Sequence, residues 1–190
     1  MRLIIGFCGL PRVGKDTAAD WMVEKHGFTK FHPADAVKEM ALIINPCVQG
    51  CTRLADVVDE LGWDEAKHQW PEVRRLLQVI GTEAGRDFFH PGIWLDKTMA
   101  EVDALPKDAP AVLSGVRFPN EVFAINRRGG VLVRVMRDVQ HSLETLDHPS
   151  ETEAAELVED HRLHNHTTID DLHGRVDHLL KRIRSLRRNR

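Results

Sequence analysis

Five short stretches of the chain are apolar enough to be strands: Arg2–Phe7, Phe28–Phe31, Ala111–Val116, Val131–Met136 and a weaker one near Arg162–Asn165. The first, third and fourth run almost without polar interruption, the pattern of parallel strands covered on both faces. Between them the apolar spacing changes to that of helices. One helix starts at Lys15–Thr17 and ends at Gly27. Another, Ala36–Ile44, places Val37, Met40, Ala41 and Ile44 on one side and stops at Asn45-Pro46. Leu54, Val57, Val58 and Leu61 repeat the spacing, and Gly62 closes that helix. A further helix is expected from about Pro71 to Gly85. Strands alternating with helices predict a doubly wound α/β domain. A single crossover needs far fewer residues than lie between Ala36 and about Leu105, so the surplus reads as an inserted helical lobe that carries substrate recognition.

The stretch Gly9-Leu10-Pro11-Arg12-Val13-Gly14-Lys15-Asp16-Thr17 joins the first strand to the first helix. It matches the G-x-x-x-x-G-K-[ST] loop in the context that loop requires. Gly9 and Gly14 allow torsions that turn successive N–H groups of Arg12, Val13 and their neighbours toward phosphate oxygens. The helix N-terminus favours an anion, and Lys15 adds a point charge toward the β- and γ-phosphates. Asp16 departs from the pattern: a Ser or Thr hydroxyl usually binds Mg²⁺ there. Either Thr17 takes that role from the next position, or Asp16 meets the metal, or Asp16 only caps the helical turn.

Composition narrows the alternatives. With 190 residues the chain can bury one sizeable core. Lys and Arg number 26 against 29 Asp and Glu, so there is no basic excess for nucleic acid. No apolar run is long enough to span a bilayer, and the start lacks a signal-peptide cleavage site. Cys8, Cys47 and Cys51 cannot all pair with one another, which fits a reducing cytoplasm. Cys47 and Cys51 lack a second pair at zinc spacing. The basic run Lys181–Arg190 suits a helix C-terminus.

Taken together, Gly9–Thr17 with its G-K-D-T ending, Phe31–Lys38, Leu76–Glu83 (L-L-Q-V-I-G-T-E), Val116–Glu121 (V-R-F-P-N-E) and Ser150–Glu153 resemble the deoxynucleoside monophosphate kinases of bacteriophages. These lie within the P-loop nucleoside monophosphate kinases. The matches fall in family order over residues 1–153; the segment from Asn165 is a looser match. The resemblance implies a five-stranded parallel sheet with helices on both faces, in one domain: a core of 1–35 and 106–190, an acceptor-binding lobe of 36–105 and a lid at about 138–150. It implies transfer of the γ-phosphoryl group of ATP, with Mg²⁺, to a (deoxy)nucleoside 5′-monophosphate, in the host cytoplasm if the chain is phage-encoded. A homodimer is left open, and no nucleic-acid or membrane partner is expected. Such kinases usually carry an aspartate just before the V-R-F-P-N-E valine. Here Gly115 stands there, so metal binding falls to Asp16, Thr17, Glu121 or the nucleotide's own phosphates.

The acceptor's phosphate needs cations, ideally arginine forks. At about 100° per residue, Val73, Leu76, Leu77, Ile80 and Ala84 form one face of the Pro71–Arg86 segment. Arg75, Gln78, Thr82 and Arg86 form the other. Asp35 and Lys38 follow the second strand, at the end where α/β sheets bind ligands. Phe31 and Trp94 are candidates to stack on the acceptor base. Arg117, after the third strand, and Arg137, on the lid side, are candidates to steady the transferring phosphoryl group. Ser150–Glu153 fits a capping box. In the resembled group the loop at Asn165 lies against the donor base. Two other readings share the phosphate loop: a kinase of another small phosphorylated acceptor, of the dephospho-coenzyme A or phosphomevalonate type, and a non-catalytic nucleotide switch.

Overall fold

A computed structural model describes residues 2–137 and 156–188. Within them the chain divides into two compact units, residues 1–32 with 102–190 and residues 33–101. The expected lid at 138–150 and capping box at Ser150–Glu153 lie outside the described residues.

The first unit is built on a five-stranded parallel sheet of order β2-β5-β1-β6-β7. Its strands are β1 (Ile4–Cys8), β2 (Thr29–Phe31), β5 (Ala111–Ser114), β6 (Val131–Met136) and β7 (His161–His164). β1 is central, pairing Ile4 with Ala111 on one side and Ile5 with Val131 on the other. The apolar runs are strands for the reason their sequence suggests: every residue of β1 and β5 is buried. β7 is weak in sequence because it is an edge strand, with only Leu163 buried.

Helix α1 (Lys15–His26) and the last helix, α7 (Ile169–Arg188), pack together on one face of this sheet. Ala18, Ala19 and Met22 of α1 meet Leu172, Val176, Leu179, Leu180 and Ile183 of α7 in one apolar cluster with Ile5, Phe7, Val112 and Val133. The α7 spacing is that of a helix with one buried stripe. Asp177 ties the two helices, accepting from Trp21 Nε1 at 2.9 Å and meeting His26 Nε2 at 2.7 Å, while His173 stacks on Trp21 at 4.0 Å. Helix α6 (Pro119–Arg127) covers the other face against β1 and β6. It comes so close that a Cβ on Gly6 would lie 2.6 Å from the Ile125 side chain. The result is a three-layer α/β fold with helices on both faces of a parallel sheet.

The second unit holds α2 (Pro33–Ile44), a short hairpin of β3 (Cys47–Gln49) and β4 (Thr52–Arg53), α3 (Leu54–Gln69), α4 (Pro71–Gln78), a π-helical segment (Val79–Asp87) and most of α5 (Ile93–Ala104). Val37, Ala41, Val48, Leu54, Val57, Ala66, Val73 and Ile80 form its core. Gly62, at φ 71° and ψ 165°, breaks α3 where the sequence reading closes a helix. The helix read over Pro71–Gly85 needs correction, because it is an α-helix only as far as Gln78. Beyond that point the chain takes i→i+5 turns, and the buried position after Ile80 is Gly85, while Ala84 is exposed.

Candidate active site

The loop after β1 is shaped by three residues in unusual torsions: Gly9 at φ 130°, Arg12 at φ 60° and Gly14 at φ 100°. Two of the glycines are also needed for space. A Cβ on Gly9 would lie 2.4 Å from the Val135 carbonyl oxygen, and one on Gly14 would lie 2.5 Å from Asn165 Nδ2. The loop is thus pressed onto the ends of β6 and β7. Gly14 is the N-cap of α1 and has no side chain with which to occupy the first-turn N–H groups, which leaves the helix N-terminus suited to an anion. Lys15 Nζ reaches back over the loop and donates to the carbonyls of Gly9 at 2.9 Å and Leu10 at 2.7 Å. Its ammonium therefore lies within the loop's curve.

Val13 is buried, Arg12 is exposed and Thr17 is half-buried in the first turn of α1. Asp16 stands in that same turn, and its carboxylate pairs with Lys30 Nζ at 2.9 Å; Lys30 also holds Asp20 at 2.8 Å. Partial burial works to raise the Asp16 pKa. The Lys30 ammonium, helped by Ser114 and His32, outweighs it and keeps the carboxyl below its ordinary range.

The structure gives Asn165 a definite place. It is 7% exposed, and its Nδ2 donates to the Val13 carbonyl at 2.8 Å. Its side chain therefore holds the loop after β1 in shape. Glu121 is 4% exposed, and its Oε2 accepts from the backbone N–H groups of Arg117 at 2.7 Å and Phe118 at 3.1 Å. That carboxylate secures the turn between β5 and α6. Phe31 is half-buried at the end of β2, Arg117 is half-buried just after β5, and Arg137 is exposed just after β6. These residues, with the loop, all lie at the carboxyl ends of the parallel strands, where such sheets bind ligands.

The remaining candidates belong to the second unit. Asp35 and Lys38 pair with each other at 2.9 Å on α2. Arg75 is exposed and engages Glu72 with two hydrogen bonds, of 2.8 and 2.6 Å. Gln78 is exposed, while Thr82 and Arg86 are half-buried in the π-helical segment. The α-helical projection that aligned these four does not hold past Gln78. Trp94 packs within the unit: its Nε1 donates to the Gly81 carbonyl at 2.8 Å, and a Cβ on Gly85 would lie 2.5 Å from that same nitrogen. The indole thus explains both the glycine at 85 and the local departure from α-helix.

Ser114, which the sequence reading passed over, and Gly115 stand at the tip of β5. Ser114 is fully buried, and its hydroxyl helps to hold the Asp16 carboxylate ionised. Gly115 has φ +78°, and a Cβ there would lie 2.3 Å from His32 Nε2. A serine ending an otherwise apolar strand was the available signal. The His32 contact had none.

Among the described residues, no group of three or more His, Cys, Asp or Glu side chains could hold a metal on its own. No helix among them is long and apolar enough to cross a membrane. No family model matches the chain. It is 28% identical over 193 residues, covering 92% of this chain and 94% of the relative, to a protein of Acanthamoeba polyphaga mimivirus named "Putative deoxynucleotide monophosphate kinase". It is 37% identical over 86 residues to the deoxynucleoside-5′-monophosphate kinase of Escherichia phage T5, spanning 42% of this chain but 33% of that enzyme. Among solved structures, dephospho-CoA kinase from Campylobacter jejuni aligns over 96% of this chain and 98% of its own, at 15% identity and a TM-score of 0.47.

Proposed function

We propose that this chain, a kinase related to the viral deoxynucleotide monophosphate kinases, transfers the γ-phosphoryl group of ATP to a (deoxy)nucleoside 5′-monophosphate. One observation carries the reading: a loop of backbone N–H groups at the tip of the central strand, with the Lys15 ammonium folded into it. Relatives named for this activity narrow the acceptor class.

Phosphoryl transfer depends on positioning and charge neutralisation more than on covalent chemistry. Lys15 gives up its two loop carbonyls to meet the β- and γ-phosphate oxygens. Arg117 and Arg137, after the strands on either side of β1, steady the phosphoryl group in flight. The attacking 5′-phosphate oxygen is already anionic at neutral pH, so no residue is needed as a general base. Asp35, Lys38, Arg75, Gln78, Thr82 and Arg86 of the second unit are the proposed acceptor-reading groups. Phe31 at the end of β2 is proposed to stack on its base, and Trp94 shapes the π-helical segment that carries Thr82 and Arg86.

Mg²⁺ would neutralise charge on the bridging phosphate oxygens. The residues present fit it, since a hard cation takes oxygen ligands and Asp16 is held ionised beside the loop. Thr17 adds a hydroxyl in the same turn. Glu121 is the poorer candidate, because one of its oxygens serves two backbone N–H groups.

A coupled ADP assay over all common NMPs and dNMPs, with dephospho-coenzyme A as a competing acceptor, tests the proposal. ADP formation that requires a nucleoside monophosphate is expected. Turnover that requires only dephospho-coenzyme A, or that is indifferent to any acceptor, would contradict it.

A further inference from the structure

The residue after the loop lysine is ordinarily a neutral hydroxyl. Here it is Asp16, in the first turn of α1, the turn whose N–H groups Gly14 leaves without a side-chain cap. A carboxylate is favourable there while the helix end is empty. Once a triphosphate arrives at the same N–H groups, that carboxylate is a like charge at close range, and the two repel. The loop therefore carries a charge that works against its own ligand.

Lys30 answers that charge from another element. It is the middle residue of β2 and half-buried. Its Nζ lies 2.9 Å from Asp16 Oδ1 and 2.8 Å from Asp20 Oδ1. Burial works to lower the Lys30 pKa, but the hydrogen bonds to Asp20 and Asp16 outweigh it and keep the ammonium above its ordinary range. The two carboxylates are four residues apart and share a face of α1, but only Asp16 stands in the turn at the loop. A staple between β2 and α1 is already provided without Lys30. The Phe28 N–H donates to the Met22 carbonyl at 3.2 Å, and Phe28 is buried in the cluster that holds Ala18 and Met22.

We propose that Lys30 is a positioning residue of the phosphotransfer site: its ammonium offsets the Asp16 carboxylate, so that a loop with an acid in the hydroxyl's place still accepts the polyphosphate of the donor nucleotide. Lys30 acts through Asp16 and not by touching the nucleotide. This assignment rests on the phosphotransfer reading above.

The test uses the full chain, with binding of a non-hydrolysable ATP analogue and of ADP measured by calorimetry in EDTA, so that no metal takes part. Lys30→Met should bind the analogue about tenfold more weakly than the wild type at low salt, and ADP with a smaller loss. Raising the salt to about 1 M, where screening reaches in to about 3 Å, should erase most of the difference. Adding Asp16→Asn to Lys30→Met should restore the affinity, whereas adding Asp20→Asn should not. Asp16→Asn alone should bind the analogue several-fold more tightly, and it decides the matter if Lys30→Met does not fold. Lys30→Met that binds as the wild type does would overturn the assignment and leave the kinase reading intact. So would a loss equal for both nucleotides and indifferent to salt, rescue by Asp20→Asn as good as by Asp16→Asn, or Asp16→Asn alone binding no more tightly than the wild type. A wild-type chain that binds neither nucleotide would instead remove the phosphotransfer reading, and this role with it.

Discussion

Lys15 makes two hydrogen bonds to the loop it must serve, so its replacement separates stability from chemistry. Lys15→Ala should fold, because those carbonyls lie in a half-buried loop open to water. It should abolish transfer in the ADP assay, and retained turnover would remove the loop from the mechanism. Asn165→Ala acts differently. It withdraws a buried donor from the Val13 carbonyl, at a cost of about 1–3 kcal/mol readable by urea unfolding, and it should raise the KM for ATP through a looser loop. Gly115→Asp restores the carboxylate of the resembled kinases yet should destabilise the fold. Left-handed torsion alone costs a residue with a side chain about 1–2 kcal/mol, and the His32 contact adds to it. Adding His32→Ala should recover only the steric part. The loop residues were legible from sequence because their spacing is dictated by phosphate geometry. Ser114 and His32 were not, because their meaning arises only when β2 and β5 lie side by side.

The strands could be read because a parallel strand covered on both faces has little room for polar residues, as β1 and β5 show. The hairpin Cys47–Arg53 escaped notice because strands of two and three residues leave no periodicity. The π-helical segment escaped because the projection assumed 100° per residue; Trp94, thirteen positions along the chain from the Gly81 carbonyl that it binds, sets the local geometry. Arg86 lies in that segment. Arg86→Ala should raise the KM for the monophosphate and leave that for ATP nearly unchanged, and equal changes in both would count against the second unit as acceptor-reading. At the β6–β7 edge, Glu159 accepts from Arg134 at 2.9 Å and from Arg162 at 2.6 Å. The two guanidinium groups, Arg134 first, bring its carboxyl from the ordinary 4.5 to about 2. A depressed carboxyl stabilises above its ordinary pKa and loses that contribution as protons return. Stability should therefore fall as the pH drops from 4.5 toward 2, and Glu159→Gln should flatten that acid limb. The same variant should cost about 2 kcal/mol at neutral pH by urea titration.

For the molecule as a whole, 26 basic against 29 acidic residues leave no basic excess for a phosphate backbone, and the match to the mimivirus relative spans 94% of that protein. Function thus rests on two unequal supports. The loop's place between β1 and α1 was readable from local sequence, while its buttress from Asn165 was not. The proposed acceptor-reading side chains lie where a helical projection only half foresaw. Nucleotide binding should stabilise the chain: at a hundredfold excess over Kd, about 2.7 kcal/mol, or roughly 5–10 °C in Tm, measured by calorimetry with the non-hydrolysable analogue and lost in Lys15→Ala. The most direct trial of the central claim follows the phosphorus itself. In a single turnover with ATP labelled at the γ-position, Mg²⁺ and a deoxynucleoside monophosphate, the label should pass to the deoxynucleoside diphosphate in step with ADP formation. Label released as inorganic phosphate, at the same rate with or without the monophosphate, would contradict the account.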